Sequence, residues 1–219
     1  METCSVEDLY RLALTKLSAV AEGEQLALLD RALIRLGLAA SVTALNPFSL
    51  SAEIDAAFDQ GASPSQVQEV VVLVSGLGVH SLMLSAEKVL EAARHRGLLV
   101  NDDGLDEERS ALWESRVGND PFWAEFEREI PGFLKAMLIL SPDIFVGFFD
   151  YCAIPWKSGT VSAQTKELIA MASDATPDHR FGPGFRIHLG NAIKLGCSRK
   201  AILETLDIAA AAPPHRGIN

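Results

Sequence analysis

Residues 179–197 read HRFGPGFRIHLGNAIKLGC. His179 and His188 stand with Arg180 and Arg186 around the run Gly182-Pro183-Gly184. Arginine can hold a carboxylate through two parallel hydrogen bonds. Histidine can give or take a proton near neutral pH. Together these residue types suit proton transfer to a carbanion or enolate formed beside a bound carboxylate. Glu167 lies upstream, 21 residues before His188 (188 minus 167), and is a candidate to assist the proton transfer.

Spacing assigns each residue a place. A helix is expected over 185–195, with Phe185, His188, Ala192 and Leu195 along one face. His188 then sits on an apolar stripe near a helix N-terminus, where burial and the helix dipole favour the neutral ring. The functional reading is a partly buried general acid or base. The structural alternative is a core histidine satisfied by hydrogen bonds. Arg186 is two positions from His188 and does not share its face. Arg186, Arg180 and His179 form the candidate substrate-binding set. Their alternative is a solvated, acid-paired surface, because the chain holds 29 Asp and Glu. For Glu167 the alternative is a surface salt bridge, which stabilises little. The Gly-Pro-Gly run is expected to shape a loop before the helix.

Composition narrows the class. The 219 residues are 48% hydrophobic and 22% charged, enough to bury a core. A net charge of -10 argues against a nucleic-acid partner, which calls for clustered Lys and Arg. The cysteines Cys4, Cys152 and Cys197 are far apart and odd in number, so reduced thiols and a cytoplasmic location are expected. No signal peptide is expected in METCSVEDLYRLALTKL. VQEVVVLVSGLGVHSLML is expected to fall short of a membrane span, being broken by Gly76 and Gly78 and carrying Glu69 and His80. No metal-ligand spacing and no nucleotide-binding motif occur, so neither a metal nor a cofactor is expected. The tryptophans Trp113, Trp123 and Trp156 are expected in the core or at subunit contacts.

The elements that must position these residues repeat. An offset of 135 maps Gly61 to Gly196, Ser63 to Ser198, Glu69 to Glu204, His80 to His215 and Leu33-Ile34 to Leu168-Ile169. Two related helical halves are expected, over 1–100 and 135–219, joined by a polar segment over 101–134 that contains the turn signal Asn101-Asp102-Asp103-Gly104. Further helices are expected over 6–21, 25–40, 50–60, 64–75, 81–95 and 121–140, the last interrupted at Ile130-Pro131-Gly132. Helices also begin after Ser162 and Ser198. No alternating strand pattern appears, so the class is all-α. The apolar runs VVVLVSGLGV and LDIAAAA are expected to pack on each other or on a second subunit.

Lys166-Glu167-Leu168-Ile169, then His188, Ala192 and Gly196, then Ser198 and Glu204 follow a recognisable order. The chain resembles the carboxymuconolactone decarboxylase family, which includes the AhpD-type alkylhydroperoxidases. The resemblance implies an AhpD-like helical fold of two tandem repeats and a homo-oligomer, trimer or higher. The peroxidase branch uses two cysteines ahead of the histidine; here those positions hold Phe181 and Gly184, and Asn46 and Ser49 in the first half, where Glu53 replaces the histidine. A dithiol cycle is therefore excluded at that site. The resemblance then implies a cofactor-free lyase or isomerase acting on a small carboxylated lactone or related organic acid, with His188 and Glu167 as catalytic residues. The alternative is a non-catalytic binding or assembly protein that kept the fold.

Overall fold

Ser5, Ser63, Ser162 and Ser198 each accept a hydrogen bond from the backbone N–H three residues on, and each opens a helix. These bonds satisfy donors that a first turn leaves without an intrahelical partner. A computed structural model describes residues 4–99 and 104–218, and these are helical with no strand. The chain is all-α. Asn101, Asp102 and Asp103 of the expected turn lie outside the described residues, as does Asn219. The helices are α1 (Val6–Lys16), α2 (Leu28–Ala40), α3 (Pro47–Asp59), α4 (Pro64–Ser75), α5 (Val79–His95), α6 (Glu107–Arg116), α7 (Pro121–Glu129), α8 (Phe133–Leu140), α9 (Pro142–Cys152), α10 (Ile154–Lys157), α11 (Ala163–Ala175), α12 (Gly182–Lys194) and α13 (Arg199–Ala210).

Two compact units are present: Met1–Leu77 with Ile154–Asn219, and Gly78–Ala153. They differ from the segments 1–100, 101–134 and 135–219 read from the sequence. The reason is that helices from both ends of the chain bury their apolar faces against one another. In the first unit α2 packs on α11, with α3 and α4 on α2 and α12 and α13 on α11. Leu33, Ile34 and Leu36 of α2 and Ile169, Met171 and Ala172 of α11 are nearly or fully buried. Gly37 allows the close approach: a Cβ there would lie 2.8 Å from Cγ2 of Ile169. α4 also packs on α11, and α13 on α2. The two apolar runs therefore share a central helix pair, and that pair is where their apolar surface goes.

The offset of 135 carries through to the helix boundaries. It takes α2 onto α11, α3 onto α12 and α4 onto α13 at both ends. It also pairs Leu45 (φ 37°) with Arg180 (φ 49°), and Gly61 (φ 85°) with Gly196 (φ 83°). Two ion pairs exchange partners under it: Lys166–Glu69 and Arg31–Glu204.

The second unit holds α5 to α9 around an aromatic core. Trp123 meets Phe126 and Phe149 edge to face, and Phe133 meets Phe148 in the same way. Ile130-Pro131-Gly132 separates α7 from α8, with Gly132 at φ 75°. The run Pro64–His95 is, by length and composition, long and apolar enough to cross a membrane. This corrects the expectation from its glycines: Gly76–Gly78 forms a 3-10 turn within the helical run.

Candidate proton-transfer site

Helices α11 and α12 face each other, and the site is built between them. Nδ1 of His188 lies 2.7 Å from Oε2 of Glu167. Nδ2 of Asn191 donates to Oε1 of Glu167 at 3.1 Å. Both carboxylate oxygens are thus held, and the carboxylate fixes the imidazole. With Nδ1–H donating to Glu167, Nε2 is the nitrogen left for proton exchange. The His188 side chain is 21% exposed and that of Glu167 is 9% exposed. The indole of Trp156 lies nearly parallel to the imidazole, with planes 9° apart and ring centroids 6.4 Å apart.

Burial pulls the His188 pKa down, but the hydrogen bond and charge of Glu167, with the charge of Asp174, outweigh it. The net shift is upward, so the charged ring is favoured. The expectation of a neutral ring considered only burial and the helix dipole, and omitted the carboxylate on the facing helix.

Asp174 lies on the same helix as Glu167 and is 1% exposed. Burial pushes its pKa up to about 7, against the opposing charge of His188. Nε2 of His179 is 3.6 Å from Oδ1 of Asp174, and burial lowers the His179 pKa. The backbone N–H of Phe181 donates to the carbonyl oxygen of Asp174 at 2.9 Å. Gly184 makes room for this carboxyl, since a Cβ there would overlap Oδ2 of Asp174. Gly182, Pro183 and Gly184 form the first turn of α12, so the helix begins before the expected residue 185. Proline fits there because its fixed φ and missing N–H suit a first turn.

Arg186 and Arg180 are both exposed. A guanidinium nitrogen of Arg186 lies 3.3 Å from where a Cβ of Gly182 would stand, over the start of α12. The structure thus brings together Glu167 and His188, and separately Asp174 and His179, while both arginines face outward. Sequence reasoning passed over Asn191 and Asp174, and expected Trp156 in the core or at a subunit contact, whereas it is 41% exposed beside His188. Asn191 is three residues after His188, and Asp174 seven after Glu167, so helical spacing could have found both. Trp156 carries no such signal.

The model of the carboxymuconolactone decarboxylase family matches residues 142–213, the span that holds Trp156, Glu167, Asp174 and His188. A crystal structure of a provisionally assigned gamma-carboxymuconolactone decarboxylase subunit from Burkholderia xenovorans LB400 is similar, with a TM-score of 0.71 and 27% identity. The match covers 93% of this chain and 78% of that one. Over that span the chain is similar to the carboxymuconolactone decarboxylase, or AhpD-like, family. No curated protein matches it.

Two further features bear on the chemistry. Two of the chain's cysteines are poor nucleophiles: Cys197 is buried, and burial, then the charges of Glu167 and Asp30, push its thiol up to about 11. Cys152 is likewise pushed up to about 11 by burial. Neither is a ready thiolate. In the first half of this carboxymuconolactone decarboxylase-like chain, Glu53 stands where the offset places His188, and it pairs with Arg35 at 3.1 Å. That pair borders a cavity of about 290 Å³ that Glu204 and Asp207 also line.

Proposed function

We propose that the chain is a cofactor-free lyase or isomerase of the carboxymuconolactone decarboxylase type. Its substrate is a small carboxylated lactone or related organic acid. The observation that carries this reading is a partly exposed His188 held by Glu167 at 2.7 Å. In decarboxylation the bond to the carboxylate carbon breaks and carbon dioxide leaves. The electron pair passes to the ring carbon, conjugated with the lactone carbonyl. His188, kept protonated by Glu167, donates its Nε2 proton to that carbon and regains one from solvent. Arg186, Arg180 and His179 are proposed to hold the substrate's carboxylates as it enters. The exposed positions of Arg186 and Arg180 support a role in capturing an anion from solvent.

The alternative is a binding or assembly protein without catalysis. The partial exposure of His188 favours the enzyme, because a core histidine would be sealed. The test is an NMR titration of the His188 ring with and without carboxylated lactones, using His188→Ala to assign the signal. A ring that titrates above its ordinary value and responds to a carboxylate supports the enzyme. A ring that does neither leaves the scaffold.

Three further proposals accompany this reading. The halves related by the offset of 135 are tandem copies of one unit. The protein is a cytoplasmic homo-oligomer, trimer or higher, supported by its free thiols and by exposed apolar residues such as Phe48, Leu28, Leu84 and Val89. Its partner is a small anionic molecule rather than nucleic acid or membrane.

A further inference from the structure

Lys166 is next to Glu167 in sequence but serves a different set of atoms. Its ammonium is nearly buried and lies 2.5 Å from Oε1 of Glu69 on α4. The same Nζ donates to the carbonyl oxygens of Pro155 and Ser158, each at 2.6 Å. Oγ of Ser158 in turn donates to Oε2 of Glu69 at 2.5 Å. Ser158 also accepts the N–H of Thr160 at 3.3 Å. One buried cation therefore grips both ends of the segment 155–158. Between those two carbonyls lies Trp156, which is 41% exposed and parallel to His188.

A four-residue helix has little stability of its own. An indole on such a segment keeps a fixed orientation only if the segment is held from outside. The Lys166–Glu69–Ser158 network holds it, and its charges are matched and hydrogen-bonded, as buried charges must be. Adjacent residues of α11 thus act near the two rings: Glu167 holds the imidazole, and Lys166 holds the segment that bears the indole.

Resting on the reading of His188 as a proton-transfer residue, we infer that Lys166 is a positioning residue that clamps Trp156 beside His188, and that the indole is the wall on which a flat, conjugated ring lies. The indole offers a flat face to planar rings and less to a puckered saturated ring. Trp156 is then a specificity-determining residue, selecting unsaturated ring acids.

The test uses the full chain with ¹⁵N-labelled indoles, Trp156→Phe to assign the signal, and two probes. They are 2-furoate and its saturated counterpart tetrahydro-2-furoate, which share the carboxylate and differ in planarity. The expectation is that 2-furoate moves the Trp156 and His188 signals together and binds about five- to tenfold more tightly. Trp156→Leu reduces that ratio to about twofold or less, and so does the charge-removing pair Lys166→Met/Glu69→Leu with its helical content retained. In the wild type the Trp156 indole has an order parameter of about 0.8, as rigid backbone does. A value below about 0.6 overturns the clamp, whether or not the double variant folds. A ratio unchanged in Trp156→Leu overturns the selectivity role. If both acids move His188 without preference, acid binding at the site stands and this inference falls. If neither acid moves His188 at all, the proton-transfer reading falls and takes this inference with it.

Discussion

His188 and Asp174 illustrate how one small region sets two unusual acidities in opposite roles. The His188 ring is charged more readily than usual because the pull of Glu167 exceeds the effect of burial. For a general acid, turnover should fall as pH rises through that raised pKa, above the ordinary 6.5. Glu167→Gln removes the carboxylate charge. The His188 pKa should then drop, and the falling limb of the pH profile should move to lower pH by the same amount. NMR titration and initial rates measure the two independently; a limb that stays in place would assign the proton elsewhere. His188→Ala should cost about 10²- to 10⁴-fold in turnover, the usual worth of a positioned acid or base. Asp174 bears on stability. Its folded pKa of about 7 lies above the ordinary 3.8. Its contribution is therefore full below about 3.8 and lost as pH rises through about 7. Urea unfolding at pH 5 and pH 8 should show wild type losing more stability than Asp174→Asn, since His188 and His179 titrate in both. Equal losses would mean that Asp174 ionises freely. The chemistry-bearing types were legible from HRFGPGFRIH, but the charge state of His188 was not. Its determinant is a carboxylate on another helix, and helix contacts lie beyond local spacing.

At the scale of elements, caps were the most legible feature, because a serine oxygen and the N–H it satisfies are three residues apart. The start of α12 was less legible. Gly182-Pro183-Gly184 has the composition of a turn, and only the buried carboxyl of Asp174 shows why the first turn needs glycine. Two glycines on this one helix give opposed expectations. A Cβ at Gly184 would overlap the carboxyl of Asp174 and come within 2.9 Å of the Phe181 ring. Gly184→Ala should destabilise by about 1–3 kcal/mol, as overpacking does. A Cβ at Gly190 would meet nothing within 4 Å. Gly190→Ala should stabilise α12 by about 0.5–1 kcal/mol through helix propensity alone. Chemical denaturation of the two variants side by side checks both signs. A destabilised Gly190→Ala would show that this face of α12 is covered in the assembled protein.

Across the whole molecule, the 135-residue correspondence was legible because both halves keep glycine at one left-handed position, Gly61 and Gly196, and serine at one cap, Ser63 and Ser198. The way the halves combine was only partly legible: the apolar runs called for a partner, but the packing of α2 on α11 in one core is a long-range contact that local spacing does not show. The shared core places two related ion pairs in unequal surroundings. Side chains of Lys166 and Glu69 are 3% and 7% exposed, and those of Arg31 and Glu204 are 34% and 20% exposed. A charge left alone in the dry environment cannot be rehydrated cheaply, whereas water can reach the partner in the wetter one. Lys166→Met should therefore cost about 3–5 kcal/mol, and Arg31→Met about 1 kcal/mol, though the offset relates the two positions. Adding Glu69→Leu to Lys166→Met should recover much of the loss, because the uncompensated carboxylate goes with it. Adding Glu204→Leu to Arg31→Met should recover little, and should lose the hydrogen bond that Glu204 accepts from the backbone N–H of Leu26 at 3.0 Å. Denaturation midpoints of the four variants decide the matter. Equal costs for the two single changes would mean that water reaches Lys166 as readily as Arg31, and that burial is not what separates the two halves.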